Sequence, residues 1–172
     1  MKRHILLMGL PGAGKTTVGK LLAERLGTSL VDTDAILVRR MQMPVTQIFA
    51  EFGEPKFRSL EVEVLTQAVA GPPSVIAPGG GWVVSPGAFE AVRPACFLVY
   101  LRTMVLTAAK RAGGEATRPL LVGEDPVERM RQLLKQREPY YAQADTELKA
   151  DVKAPAALAD EIAILARERA GW

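Results

Sequence analysis

Gly9-Leu10-Pro11-Gly12-Ala13-Gly14-Lys15-Thr16 fits the pattern G-x-x-x-x-G-K-[ST] in full. It follows a short apolar run, Ile5–Met8, and opens a helical pattern, Lys15–Leu26. There Val18, Leu21, Leu22, Ala23 and Leu26 form an apolar stripe, and Gly27 supplies a stop. Strand, glycine-rich turn and helix, in that order, are what polyphosphate binding requires. Glycines let backbone N–H groups curl around phosphates, and the helix N-terminus adds positive potential. Lys15 is expected to reach the β- and γ-phosphates of a nucleotide, and the Thr16 hydroxyl to coordinate Mg²⁺. The alternative is a glycine-rich turn with an incidental Lys-Thr. A chance match in a chain of this size is on the order of one in a hundred or rarer.

Outward from this loop, Ser29–Val31, Ser74–Ala77, Cys96–Leu101 and the region around Leu148–Val152 read as further short buried strands. Helical patterns lie between them, at Glu54–Ala70 and Pro155–Arg169 among others. Ser85-Pro86 and Asp125-Pro126 each resemble an N-cap followed by proline at the first helical position. Strands alternating with helices predict an α/β fold, a parallel sheet covered on both faces. Ligands then bind beyond the carboxyl ends of the strands. Residues 113–124, rich in glycine and polar side chains, read as a mobile loop between two helical patterns. No repeat or linker divides the sequence, so residues 1–172 are expected to form a single domain.

Composition narrows the function classes. The chain has 172 residues, 48% of them hydrophobic and 24% charged, which fits one globular domain with a sizeable core. Its longest apolar runs, such as Ala95–Leu101, fall far short of the ~20 residues of a membrane helix. The basic start, Met1-Lys2-Arg3-His4, leads into too few apolar residues for a secretory signal. One cysteine, Cys96, excludes an internal disulfide, and with one histidine it cannot build a Cys/His zinc site. A cytoplasmic protein is the expectation. The net charge of +3 suits acidic small-molecule ligands. With 6% aromatic residues and no run of five or six Lys/Arg, neither a nucleic-acid nor a membrane partner is expected.

Asp32-Thr33-Asp34 ends the second strand pattern and opens a helix. Two carboxylates at this spacing can face one crevice. One could hold a metal-bound water while the other accepts a proton from a substrate hydroxyl. The competing account is simple N-capping by one aspartate.

Taken in order, several elements resemble the shikimate kinases of the nucleoside-monophosphate-kinase-like group. They are the loop Gly9–Thr16, Asp32-Thr33-Asp34, the stretch from Phe49 to Glu61 with its Phe57-Arg58-Ser59-Leu60-Glu61 core, Gly79-Gly80-Gly81, Arg118-Pro119-Leu120-Leu121 and Arg137-Glu138-Pro139-Tyr140-Tyr141. The resemblance implies a P-loop kinase of three layers, with a five-stranded parallel sheet in the order 2-3-1-4-5. It also implies a substrate-binding region at about 34–61 and a mobile lid at about 113–124. The implied reaction moves the γ-phosphate of ATP to the 3-hydroxyl of shikimate, with Mg²⁺, in aromatic amino-acid synthesis, by a protein expected to be a monomer.

Residue roles follow from the same resemblance. Gly12, Ala13, Gly14, Lys15, Thr16 and Thr17 would bind ATP, with Arg111 against the adenine. Thr16 and Asp32 would serve the metal. Asp34, Arg58, Gly79, Gly80, Gly81 and Arg137 would bind shikimate, the two arginines taking its carboxylate and the glycines letting substrate approach the backbone. Lys15, Asp34 as base, and Arg118 swinging from the lid would be catalytic. Arginine forks suit bidentate carboxylate binding. On spacing alone, Arg58 could equally be a helix-face charge paired with Glu54 or Glu61, and Arg137 one charge among several on its helix. Pro78 stands where the family more often has a small hydroxyl residue, and no aspartate closes the third or fourth strand as a Walker B carboxylate. The alternatives are another small-metabolite kinase of this fold, such as a gluconate kinase, or a nucleotide-responsive nucleic-acid binder. His4 and Cys96 read as structural, Tyr140 and Tyr141 as helix anchors, and Trp82 as a pocket wall or its packing.

Overall fold

The computed structural model describes residues 1–112 and 125–172. The apolar runs become five parallel strands: β1 (His4–Met8), β2 (Leu30–Asp32), β3 (Val75–Ala77), β4 (Cys96–Arg102) and β5 (Thr146–Lys149). Their order in the sheet is β2-β3-β1-β4-β5. All five residues of β1 are buried, as a central strand covered on both faces must be. Its alternation divides two cores. Leu6 and Met8 join Ile76, Leu98 and Tyr100 under one layer of helices. Ile5 and Leu7 join Val75, Phe97 and Val99 under the other.

The second of these layers is α1 (Lys15–Leu26) with α7 (Pro155–Arg169), contributing Val18, Leu22, Leu158 and Ile162. The first includes α3 (Val45–Ala70), α4 (Ala88–Val92), α5 (Val105–Ala112) and α6 (Pro126–Tyr141), through Leu65, Phe89, Ala108, Met130 and Leu133. A satellite core of Leu37, Ile48, Phe57 and Val64 fastens α2 (Thr33–Met41) to both halves of α3. No helix of the described residues is long and apolar enough to cross a membrane.

Three local expectations need correction. The helix pattern at Glu54–Ala70 is the second half of a longer element that begins at Val45. Gly53 breaks it with φ 77°, and Pro55 follows with no N–H to give. The last strand is Thr146–Lys149, earlier than the apolar run around Leu148–Val152. It is an edge strand paired from Val99↔Thr146 to Arg102↔Lys149, and Val152 lies exposed beyond it. Ser85 does not cap α4; Gly87, at φ 75°, is its N-cap. Asp125 does cap α6, accepting the Val127 N–H, with Pro126 at the first helical position.

Candidate active site

At the carboxyl ends of β1, β2 and β3 lies a cleft of about 730 Å³. In a sheet of this order β1 is flanked by β3 and β4, a switch point where the fold opens a crevice. The glycine loop leaves β1 there and runs into α1. Gly12 has φ 83° and packs where a Cβ would stand 2.6 Å from Ala108 O. Gly14 has φ 88° and caps α1. Lys15 Nζ donates to Gly9 O at 2.7 Å and Leu10 O at 3.1 Å, holding the ammonium within the loop.

Asp32 caps its helix and also meets the hydroxyl of the phosphate loop. Its Oδ1 accepts the Ala35 N–H at 3.1 Å, capping α2, while its Oδ2 accepts from Thr16 Oγ1 at 3.0 Å. The capping fixes the carboxylate against the hydroxyl. Asp34, the second residue of α2, lines the same cleft.

Arg58 is both an ion-pair partner on its helix and a residue of the cleft. On α3 it pairs with Glu61 at 2.8 Å and with Glu54 at 3.6 Å, yet it lines the cleft and is only 16% exposed. Glu61 is 2% exposed, and burial pushes its carboxyl above the ordinary carboxylate range against the pull of Arg58, Arg137 and Lys15. Arg137, by contrast, is not one of several solvated helix charges. It is 2% exposed, and its Nε and Nη1 make no hydrogen bond among the described residues. A buried guanidinium with spare donors at a cleft favours an anionic ligand.

Gly79, Gly80 and Gly81 run across the end of β3, and the space each saves is taken by a charged side chain. A Cβ on Gly79 would run into Glu61 Oε1 and stand 2.9 Å from Asp34 Oδ1; on Gly80 it would meet Arg137 Nη1, and on Gly81 Arg58 Nη1. None of the three has a left-handed φ. Glycine is required here for room, not for backbone freedom.

The family model for shikimate kinase matches residues 11–166. A shikimate kinase from Moorella thermoacetica is 44% identical over 162 residues, covering 94% of this chain and 93% of the relative. One from Thermobifida fusca is 48% identical over 136 residues, covering 79% of this chain and 78% of the relative. The structure of shikimate kinase from Acinetobacter baumannii in complex with shikimate superposes with TM-score 0.93 at 35% identity, covering 98% of this chain and 94% of that one. The chain belongs to the shikimate kinase family. It is therefore an ATP-dependent kinase, and the expected sheet order is the order found.

Of the residues expected for a shikimate kinase site, the cleft gathers Gly12, Gly14, Lys15, Thr16, Thr17, Asp32, Asp34, Arg58, Gly79, Gly80, Gly81, Arg111 and Arg137. Ala13 sits behind the loop, buried at 2% exposure in the core under α1. Arg118, with the expected lid at 113–124, lies outside the described residues. Val45, Phe49 and Phe57, none of them among the expected binding residues, form an apolar wall of the cleft. In the sequence Glu61 stands only as a motif residue and an ion-pair partner of Arg58, and Thr33 carries no role of its own. Phe57 and Phe49 look like core residues by periodicity, and their rings do pack together, 5.5 Å between centroids. Trp82 lies behind the glycines, fully buried and stacked on Phe89.

Proposed function

We propose that residues 1–172 work as one P-loop kinase domain that phosphorylates the 3-hydroxyl of shikimate. The observation that carries this reading is the placement of Arg58 and buried, partly unpaired Arg137 in the same cleft as the phosphate loop. Two fixed guanidinium groups suit the carboxylate of a small acid, and the loop suits the polyphosphate of ATP. Asp34 orients the 3-hydroxyl and takes its proton as the oxygen bonds to the γ-phosphorus. The bond from that phosphorus to the β,γ-bridging oxygen breaks, releasing ADP and shikimate 3-phosphate.

Lys15 balances negative charge on the β- and γ-phosphates, and Arg118 is assigned to the equatorial oxygens of the transferring group. Thr16 and Asp32 offer a hydroxyl and a carboxylate oxygen already side by side, a hard donor pair that fits Mg²⁺. When bound, Mg²⁺ neutralises charge on the phosphate oxygens. Val45, Phe49 and Phe57 present an apolar wall to the ring and limit water.

The test is ADP release measured with shikimate, gluconate and nucleoside monophosphates in turn, with phosphorus-31 NMR of the product. Turnover with shikimate alone, phosphorylated at the 3-position, is the expected result. Comparable turnover with gluconate would overturn the assignment.

A further inference from the structure

Thr33 lies between the two aspartates of the cleft, but its own side chain does not line it. The residue is completely buried. Its Oγ1 accepts the Gly79 N–H at 3.1 Å, a bond from the start of α2 to the turn that follows β3. The strands beneath are already in register there, Asp32 opposite Ala77, so this bond continues the pairing by one step where the ladder has ended. Beyond it the backbone carries Gly80 and Gly81, the surfaces against which Arg137 and Arg58 rest. A shift of that backbone moves the seats of both guanidinium groups. It also moves Gly79, which sits against Glu61 and Asp34.

We infer that Thr33 is a positioning residue for the acid-binding half of the site: its hydroxyl oxygen anchors the triple-glycine turn and so sets where Arg58 and Arg137 stand. The inference rests on the function proposed above and deepens it. The ATP half is held separately, through the loop itself and the Thr16–Asp32 bond. Loss of the Thr33 acceptor therefore acts on one substrate and not on the other. A residue that merely filled space would not discriminate between them.

The test compares Thr33→Val, which keeps the branched shape without the oxygen, with Thr33→Ser, which keeps the oxygen without the methyl. Both substrates are titrated in steady state, and shikimate binding is measured directly by calorimetry. Thr33→Val is expected to raise the shikimate KM roughly tenfold, since a buried N–H is left unsatisfied and the turn relaxes. Its ATP KM should stay within about twofold, and Thr33→Ser should match the wild type. An unchanged shikimate KM in Thr33→Val overturns the inference. So does an equal rise for both substrates, which would mean general loosening. So does a Thr33→Ser defect as large as that of Thr33→Val, which would assign the effect to the methyl group. Should Thr33→Val not fold, Thr33→Ala removes the same oxygen, and the serine comparison stands by itself. If the wild-type protein phosphorylated no shikimate, the function proposed above would fail first, and separately.

Discussion

Arg58 Nη1 donates to Glu61 Oε2 at 2.8 Å, and the carboxylate it holds is all but sealed from water. Removing the guanidinium would leave a buried charge with its nearest cation gone.

Arg58→Met is therefore expected to destabilise the protein by about 3 kcal/mol near neutral pH. The carboxyl of Glu61 is already raised above its ordinary value by burial. Without Arg58 it rises further. A group whose pKa is raised on folding costs nothing below its unfolded value and destabilises as pH climbs through the folded one. Urea denaturation should thus show the deficit of Arg58→Met shrinking as pH falls toward 5. Adding Glu61→Gln to the same variant should recover most of the loss at pH 7.5. A pH-independent deficit would refute the account.

Arg137→Ala is expected to weaken shikimate binding by about 2–5 kcal/mol with little effect on ATP, because it removes a charge-assisted contact from a desolvated position. Arg137→Lys should restore little, since a single ammonium cannot reproduce the fork. Calorimetric titration of each ligand separates the two effects. Equal weakening of ATP would place Arg137 in the nucleotide half instead.

Gly81→Ala should act as a graded version of losing Arg58. The added methyl meets the end of a flexible side chain, not backbone, so the protein should fold. Arg58 must swing away, and the shikimate KM should rise by roughly an order of magnitude, as for a displaced charged contact. Gly14→Ala would fail for another reason: nothing crowds its Cβ position, but its φ is 88°. Steady-state kinetics beside thermal denaturation distinguishes them, with Gly81→Ala losing affinity and Gly14→Ala straining the fold.

His4 sets an acid limit on stability. Its Nδ1 accepts the Ser74 N–H at 3.2 Å, so its Nε2 carries the proton and donates to Val69 O at 3.1 Å. Burial holds its pKa below the ordinary 6.5. The folded ring stays neutral where the unfolded one takes a proton, so stability is full above pH 6.5 and falls on acidification below it. His4→Gln should flatten that part of the denaturation profile. A profile unchanged by the substitution would assign the acid sensitivity to other groups.

The phosphate loop was legible because its chemistry is contiguous: eight adjacent residues specify the turn, the helix start and the cation. Lys15–Leu26 and Pro155–Arg169 were legible to the residue, since periodicity and breakers agree there. Thr146–Lys149 was misplaced because an edge strand half open to water lacks the apolar run of a central one. Thr33 escaped for a different reason. Its meaning lies in what it touches, the Gly79 N–H, across a sequence separation that no local pattern reports. The Arg58–Glu61 pair was legible at helical spacing, but its burial was not. The purpose of three successive glycines was read as access for substrate. Its steric content, a separate charged neighbour for each, needs coordinates.

The strand order has a consequence for how the chain is made. No strand pairs with the one that follows it until β3 meets β2 and β5 meets β4, and even those partners are far apart: Leu30 with Val75, Val99 with Thr146. The central strand waits longer, Ile5 for Val75 and His4 for Cys96. Long-range parallel pairing of this kind slows folding, because loop-closure entropy is lost before the contacts form. On the ribosome, β1 and its loop emerge before their partners, and the β4 side of β1 must remain unpaired until synthesis has passed Cys96, beyond the middle of the chain. Arg137 comes later still, so kinase activity in a nascent chain should begin only once α6 has left the exit tunnel.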